Sequence, residues 1–273
     1  MTKKKFLMFL LIFGVIYLGY HLLYRTESAQ SEKYEITSTP TLFIHGYKGN
    51  YSSFHHLLER FEHEYHWGKR ALVCKVTKNG RVLITETGPL KTDQNLFIQV
   101  LFEDNRASFK DTATWLSKVM EILKDRYGIE KVNIVGHSMG GIISVKYLQD
   151  YGEKNQYPKV EKLITMGSPF AGIHDADYFK TNNGAAAIDL KPESKALKAL
   201  HTNQRKFPHN VQVWTIASIG DQLVNVDSAL SIKKSIRTQS YREEILYEPQ
   251  ITHSRLHESK KVDQLIGRCL WGY

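Results

Sequence analysis

From residue 40 onward, short apolar runs alternate with stretches of helical periodicity. Leu42 to Ile44 is a compact apolar run, and Ser52 to Tyr65 places Phe54, Leu57, Leu58 and Phe61 on one helical face. Ala71 to Val76 and Arg81 to Thr85 flank Asn79-Gly80, the dipeptide that most favours a tight hairpin turn. Asn95 to Phe102 reads as another strand, and Thr112 to Tyr127 as a helix with Trp115, Val119, Ile122 and Leu123 at helical spacing. A strand over Val132 to Val135 runs into a Gly-Ser-Gly turn and a helix from Met139 to Tyr151, stopped at Gly152. Leu163 to Met166 and Val211 to Ala217 read as buried strands, and Glu258 to Leu270 as a last helix with Val262, Leu265, Ile266, Cys269 and Leu270 on one stripe. Strands alternating with helices predict an α/β domain. Residues 170–209, rich in Ala, Asn, Asp and Lys, fit neither a core strand nor one helix and read as an inserted excursion.

The N-terminus follows a different pattern. Phe6 to Tyr24 is 19 residues without a formal charge, preceded by Lys3, Lys4 and Lys5 and followed by Arg25. As a helix it would span roughly 28 Å, about the hydrocarbon thickness of a bilayer. Tyr17, Tyr20, His21 and Tyr24 crowd its C-terminal end, where amphipathic rings suit the headgroup region. The lysines predict the N-terminus inside and the rest of the chain outside. Residues 1–25 are expected to be a retained signal anchor, with a cleaved signal peptide and secretion as the alternative. Thr26 to Ala29 matches an A-x-A cleavage site poorly, and the apolar run exceeds the usual signal-peptide core. Polar residues 26–39 would tether a folded domain spanning 40–273.

Charge then changes the picture less than its size suggests. The 37 Lys+Arg against 28 Asp+Glu leave +9, but four of the positive charges flank the apolar segment, where they set topology. The rest is dispersed, as in Lys233-Lys234 and Lys260-Lys261, with no motif for nucleic acid. Two cysteines, Cys74 and Cys269, exclude a disulfide scaffold and a cysteine-based zinc site, while leaving room for one bridge. Four histidines and three glutamates within 55–66 face different directions on a helix and read as a solvated polar face rather than a metal site. No cofactor fingerprint is present.

The chemistry sits at Gly136-His137-Ser138-Met139-Gly140, a G-x-S-x-G pattern between an apolar strand and a helix, the context such a nucleophile requires. Ser138 is the expected nucleophile, and the Met139 amide at the helix N-terminus faces developing negative charge. A second oxyanion amide is expected at Tyr47, where Phe43-Ile44 runs into His45-Gly46. The acid should follow the serine and precede the histidine. Asp221, just past the strand 211–217, is the candidate, with Asp227 in reserve. His253, in the loop before the last helix, is the expected base in preference to His257, which abuts the helix start.

These residues resemble the α/β-hydrolase superfamily, and within it the bacterial cell-surface hydrolases of domain-of-unknown-function family 915. The segments that carry the resemblance are FIHGYKGN, VNIVGHSMGG, ITMGSPF, GDQLVNVDSAL, THSRLHES and VDQLIGRCLW, spread over most of 40–273. The resemblance implies a mostly parallel sheet flanked by helices. Small bacterial lipases are also similar: they share the HG-x loop, the HSMG elbow and a catalytic histidine nine residues before a valine, the spacing of His253 and Val262. That likeness implies Ser138, Asp221 and His253 as a triad with oxyanion amides at Tyr47 and Met139. The hairpin at Asn79-Gly80 and the 170–209 excursion depart from those lipases, so a lipid substrate does not carry over. The expected protein is an outward-facing serine hydrolase of a carboxylic ester, less readily an amide, with a small-molecule or lipid-like substrate. The excursion is its candidate cap, with Phe170, Tyr178 and Phe179 to line the pocket. A non-catalytic envelope-binding protein and an acyltransferase using the same triad are the competing readings.

Overall fold

In the computed structural model, residues 36–88, 90 and 93–273 are described, together with Tyr17. The apolar segment 6–24 and the tether lie outside the described residues apart from Tyr17 and positions 36–39. Among the described residues no helix is long and apolar enough to cross a membrane.

Eight strands form one sheet in the order β3-β2-β4-β1-β5-β6-β7-β8. They are β1 (Thr41–Ile44), β2 (Gly68–Val76), β3 (Val82–Glu86), β4 (Asn95–Phe102), β5 (Lys131–His137), β6 (Lys159–Met166), β7 (Gln212–Ser218) and β8 (Tyr241–Leu246). Only β3 runs antiparallel, joined to β2 through the turn at Asn79-Gly80, where Gly80 has φ 77°. The remaining neighbours pair in parallel. Alternation along each strand splits the core into two layers, because successive side chains point to opposite faces. Leu42, Ile44, Ile98, Ile134 and Leu163 pack with the helices Phe109–Tyr127 and Met139–Tyr151. Phe43, Phe97, Val135, Ile164 and Ile216 pack on the other face against residues 54–61 and the helix Lys260–Trp271.

The expected elements from β1 to the last helix are present, with informative differences. The helix 109–127 begins earlier than its apolar pattern suggests, because the Ser108 side chain caps it by accepting the Asp111 N–H at 3.1 Å. Its expected stripe is offset: Ala113, Leu116, Val119, Met120 and Leu123 are buried, while Trp115 and Ile122 lie at the flank. The expected continuous helix 52–65 is instead a 3₁₀ turn (Tyr51–Phe54), an α-helical segment (His55–Glu59) and a π-helical turn (Arg60–Glu64) closed by Tyr65 N–H donating to Arg60 O at 2.9 Å. Phe54, Leu57, Leu58 and Phe61 are all buried as expected. The π turn also buries Arg60 and Glu62 beside Phe61, more consecutive inward residues than a regular stripe permits. Arg60 pairs with the fully buried Asp263 at 2.5 and 3.0 Å. Glu59 and Glu62 both bind Arg70 and Glu64 binds Lys260, so the carboxylates of the histidine-glutamate stretch face cationic side chains.

Cys74 and Cys269 are both free, in different core layers, so the single bridge that counting allowed is not formed. Burial pushes both thiols up to about 12. The 170–209 stretch contains three short helices, Tyr178–Thr181, Ala185–Asp189 and Lys195–Thr202.

Candidate active site

The site forms outside the carboxyl ends of β1, β5, β7 and β8, where an open parallel sheet leaves a crevice. Ser138 stands at the turn from β5 into the helix 139–151 with φ 55° and ψ −128°, a strained conformation for a residue with a side chain. The turn is held because its neighbours have no side chains. A Cβ on Gly136 would lie 2.6 Å from Gly140 C, one on Gly140 2.1 Å from Ile44 O, and one on Gly46 2.7 Å from Ser138 Cβ. Ser138 N–H also donates to Met166 O at 2.8 Å, tying the elbow to β6.

The structure brings three of the expected side chains together. Ser138 Oγ lies 3.0 Å from His253 Nε2, and His253 Nδ1 lies 2.7 Å from Asp221 Oδ2. Asp221 is fully buried, and its Oδ1 accepts the Leu223 and Val224 N–H groups at 3.0 and 2.8 Å. Each carboxylate oxygen is thus committed, which fixes the side of the imidazole that carries the proton. Asp227 is exposed in the short helix Val226–Leu230. His257 does not join this set: its Nδ1 lies 3.1 Å from Glu258 Oε1, and its ring is 4.9 Å from His137. Burial lowers its pKa below 6.5.

Tyr47 and Met139 both border the serine, on the β1 loop and at the helix start. Among the described residues, neither main-chain N–H donates to a protein acceptor. His45 shapes that loop: its Nδ1–H donates to Gly46 O at 2.8 Å, while its Nε2 accepts the Phe102 N–H at 3.1 Å. Acceptance at Nε2 requires a neutral ring, and burial lowers its pKa accordingly.

Several residues at the site carry no signal that sequence reasoning used. His137 is buried, and its Nε2–H donates to the His253 carbonyl at 3.0 Å. Burial, and then the neighbouring His253 and His257, keep its pKa well below 6.5. Ser218 Oγ donates to Ile251 O at 2.7 Å and accepts the Gly220 N–H at 3.1 Å, linking the acid and base loops. Gly167, with φ 53°, floors the relay: a Cβ there would approach Asp221 Oδ2 to 2.9 Å. Its place between a strand and Ser168-Pro169 was the available clue.

A pocket of about 320 Å³ opens on Ser138 and His253, bordered by Tyr47, Lys48, Tyr178, Asn182 and Leu223. Of the expected lining residues, Tyr178 is there. Phe170 is not: it is wholly buried in the core, and its carbonyl accepts a hydrogen bond from His201 Nε2 at 3.0 Å. Phe179 packs half-buried under Lys191. The excursion is latched to the β1 loop, since Tyr47 Oη donates to Asn183 O at 2.6 Å and accepts its N–H at 3.0 Å. A larger groove of about 710 Å³, between Glu248 and Lys261, contains none of Ser138, Asp221 or His253.

A mostly parallel eight-stranded sheet flanked by helices, with a serine at the strand–helix elbow, makes this chain an α/β hydrolase. Residues 28–273 match a model of the family described as alpha/beta hydrolase of unknown function (DUF915), and the chain belongs to that family. Among solved structures it is similar to the product of gene lin2722 of Listeria innocua, at 26% identity and TM-score 0.74 over 86% of this chain and 95% of that one. A protein of Lactobacillus plantarum WCFS1 provisionally described as a cell surface hydrolase is similar at 19% identity and TM-score 0.65, over 84% and 90% of the two chains. Bacillus licheniformis lipase BlEst2 shares the fold at 17% identity and TM-score 0.51, over 86% and 94%. No curated protein matches the chain significantly.

Proposed function

We propose that this hydrolase cleaves a carboxylic ester through an acyl-enzyme formed on Ser138. The observation that carries the reading is the continuous relay from Ser138 Oγ through both nitrogens of His253 to the buried Asp221. Ser138 Oγ attacks the ester carbonyl while its proton passes to His253 Nε2, and Asp221 stabilises the imidazolium. The Tyr47 and Met139 amides receive the oxyanion, a contribution on the order of 3 kcal/mol per donor where such donors have been removed. Collapse of the tetrahedral intermediate breaks the ester C–O bond, and the departing alcohol takes the proton from His253. Water then repeats the sequence on the acyl-enzyme and regenerates the serine. Residues 6–24 would hold this domain at the outer face of the membrane.

The test is covalent labelling of the full chain with a fluorophosphonate probe, alongside turnover of p-nitrophenyl esters. Labelling and turnover that disappear in Ser138→Ala support the reading; a folded wild type that is neither labelled nor active refutes it. For the tether, a native protein that begins near Ala29 and leaves the membrane fraction would overturn the anchor.

A further inference from the structure

The pocket over Ser138 is small, and its border mixes polar side chains with two tyrosine rings. At about 320 Å³ it lies at the low end of the ~300–1,000 Å³ typical of small-molecule sites. Leu223 is the one purely aliphatic side chain on its border; Tyr47 and Tyr178 add aromatic rings, and the rest are serines, an amide, imidazoles, glycines and one ammonium. The pocket volume leaves little room for a long saturated chain, whose binding depends on extended apolar area removed from water.

The ammonium is Lys48, next to the Tyr47 amide. Its backbone is held at φ 57°, with the N–H donating to Asn105 O at 3.0 Å. The Lys48 Nζ donates to Asn182 Oδ1 at 2.5 Å and lies 5.4 Å from the Tyr47 ring centroid. An ammonium has three donors, and an amide oxygen leaves its charge uncompensated. Among the described residues no carboxylate pairs with Lys48, and none borders the pocket. Acids beside residues of this region have other partners: Asp221 has His253 and two amides, Glu258 has His56, Arg60 and His257, Asp177 has Lys180, and Asp104 accepts the Arg106 N–H. The start of the helix 139–151 adds positive potential from the same side.

We propose that the pocket selects short esters bearing an anionic group, carboxylate or phosphate, which the Lys48 ammonium holds beside the scissile carbonyl. The proposal rests on Ser138 being the nucleophile. The anion could sit on the acyl side, as in a dicarboxylate half-ester, or on the alcohol side, as in an ester of a phosphorylated alcohol.

Two matched pairs test it on the full-length protein in detergent. The acyl-side pair is p-nitrophenyl butyrate against p-nitrophenyl hydrogen succinate; the alcohol-side pair is acetylglycerol against acetylglycerol 3-phosphate, followed by acetate release. The quantity read is the ratio of kcat/KM, anionic over neutral, which does not depend on how much of a variant is folded. In at least one pair the wild type should favour the anionic member. That ratio should fall about two- to fivefold in Lys48→Gln, the scale of a solvent-facing ion pair, recover in Lys48→Arg, and shrink as salt is added. A ratio unchanged by Lys48→Gln in both pairs, or a wild type that prefers the neutral ester in both, overturns anion selection alone. Wild-type inactivity toward all four esters, or turnover that survives Ser138→Ala, overturns the nucleophile and this proposal with it.

Discussion

His137→Gln should flatten the dependence of stability on pH. The ring of His137 is 7% exposed, lies 4.8 Å from the His253 ring and 4.9 Å from that of His257, and gives its Nε2–H to a carbonyl. A second proton would charge it in a buried site facing two imidazoles, so its folded pKa lies well below 6.5, whereas the unfolded chain titrates near the ordinary value. The sign follows from proton counting. Below about pH 6.5 the unfolded chain binds a proton that the folded chain refuses, so stability present above 6.5 is lost as pH falls. One such histidine contributes a limiting slope of about 1.4 kcal/mol per pH unit, and about 1.4 kcal/mol in total between pH 7.5 and 5.5. His45 and His257, also lowered by burial, add slopes in the same direction. Glutamine does not titrate, and its Nε2 can still donate to the His253 carbonyl. Urea unfolding of wild type and variant at pH 7.5, 6.5 and 5.5 isolates the effect, because lost packing shifts all three points equally. The variant should lose about 1.4 kcal/mol less than wild type on acidification. Parallel curves would show that His137 binds its proton alike in the folded and unfolded chains, and the burial argument would fail.

Gly140→Ala drives a Cβ to 2.1 Å from Ile44 O, where only backbone can yield, so about 3 kcal/mol or more of stability should be lost. Gly128→Ala, at φ 66° with no atom within 4 Å of its Cβ position, should cost only about 1 kcal/mol; equal losses on denaturation would refute the steric account. Asp263→Ala leaves the buried Arg60 without its main partner and should destabilise by about 3–5 kcal/mol, while Arg60→Met with Asp263→Leu should cost less. A loss under about 1 kcal/mol in the single variant would mean that solvent reaches the pair. Tyr47→Phe removes both hydrogen bonds to Asn183, so amide exchange in residues 178–184 should accelerate at least tenfold, the effect of about 1.4 kcal/mol. Unchanged exchange would show that the latch does not hold the segment.

Elements whose apolar faces are repeated were legible from residue type alone. The strands β4 and β5 bury most of their side chains and β6 its last four, all reading as apolar runs, and the elbow carried its own glycines. Strand β8 gave no such signal. It is the edge beside β7, with the sequence Tyr-Arg-Glu-Glu-Ile-Leu, and only Leu246 is fully buried. Its existence is set by backbone pairing, which sequence patterning does not record. The break in helix 51–64 was hidden for a related reason: the apolar spacing of Phe54, Leu57, Leu58 and Phe61 suits an α-helix, and the π turn is paid for by the inward contacts of Arg60 and Glu62 with residues far along the chain. Phe170 was misplaced because an aromatic in an irregular stretch looks available for a pocket; here the chain dips into the core before the excursion begins. Ser138, Asp221 and His253, which the fold brings within hydrogen-bond reach, were legible because a serine relay calls for those residue types in that order. Lys48, Asn182 and Tyr178 were not, since nothing in sequence distance brings position 48 to position 182.

The loop that presents His253 has little regular structure, only the 3₁₀ turn Ser254–His257, yet its imidazole must meet two side chains from other strands. Three of its carbonyls are held by side chains: Ile251 O by Ser218, His253 O by His137 and His257 O by Arg60. Two of those donors are chain neighbours of the groups that His253 must meet. His137 precedes Ser138, and Ser218 lies three residues before Asp221. Any shift of β5 or β7 therefore carries the His253 loop along with it, because the same strand end positions both the partner of His253 and the donor that anchors the loop. Each bond to a carbonyl adds about 1 kcal/mol of net stability, but its geometric effect is larger, since hydrogen-bond catalysis tolerates errors well under an ångström. The arrangement also accounts for a neutral His137 at the centre of the site. In the proposed reaction an imidazolium there would repel the charged His253 that attack creates, whereas a neutral ring donates its one N–H to the loop and leaves His253 paired with Asp221.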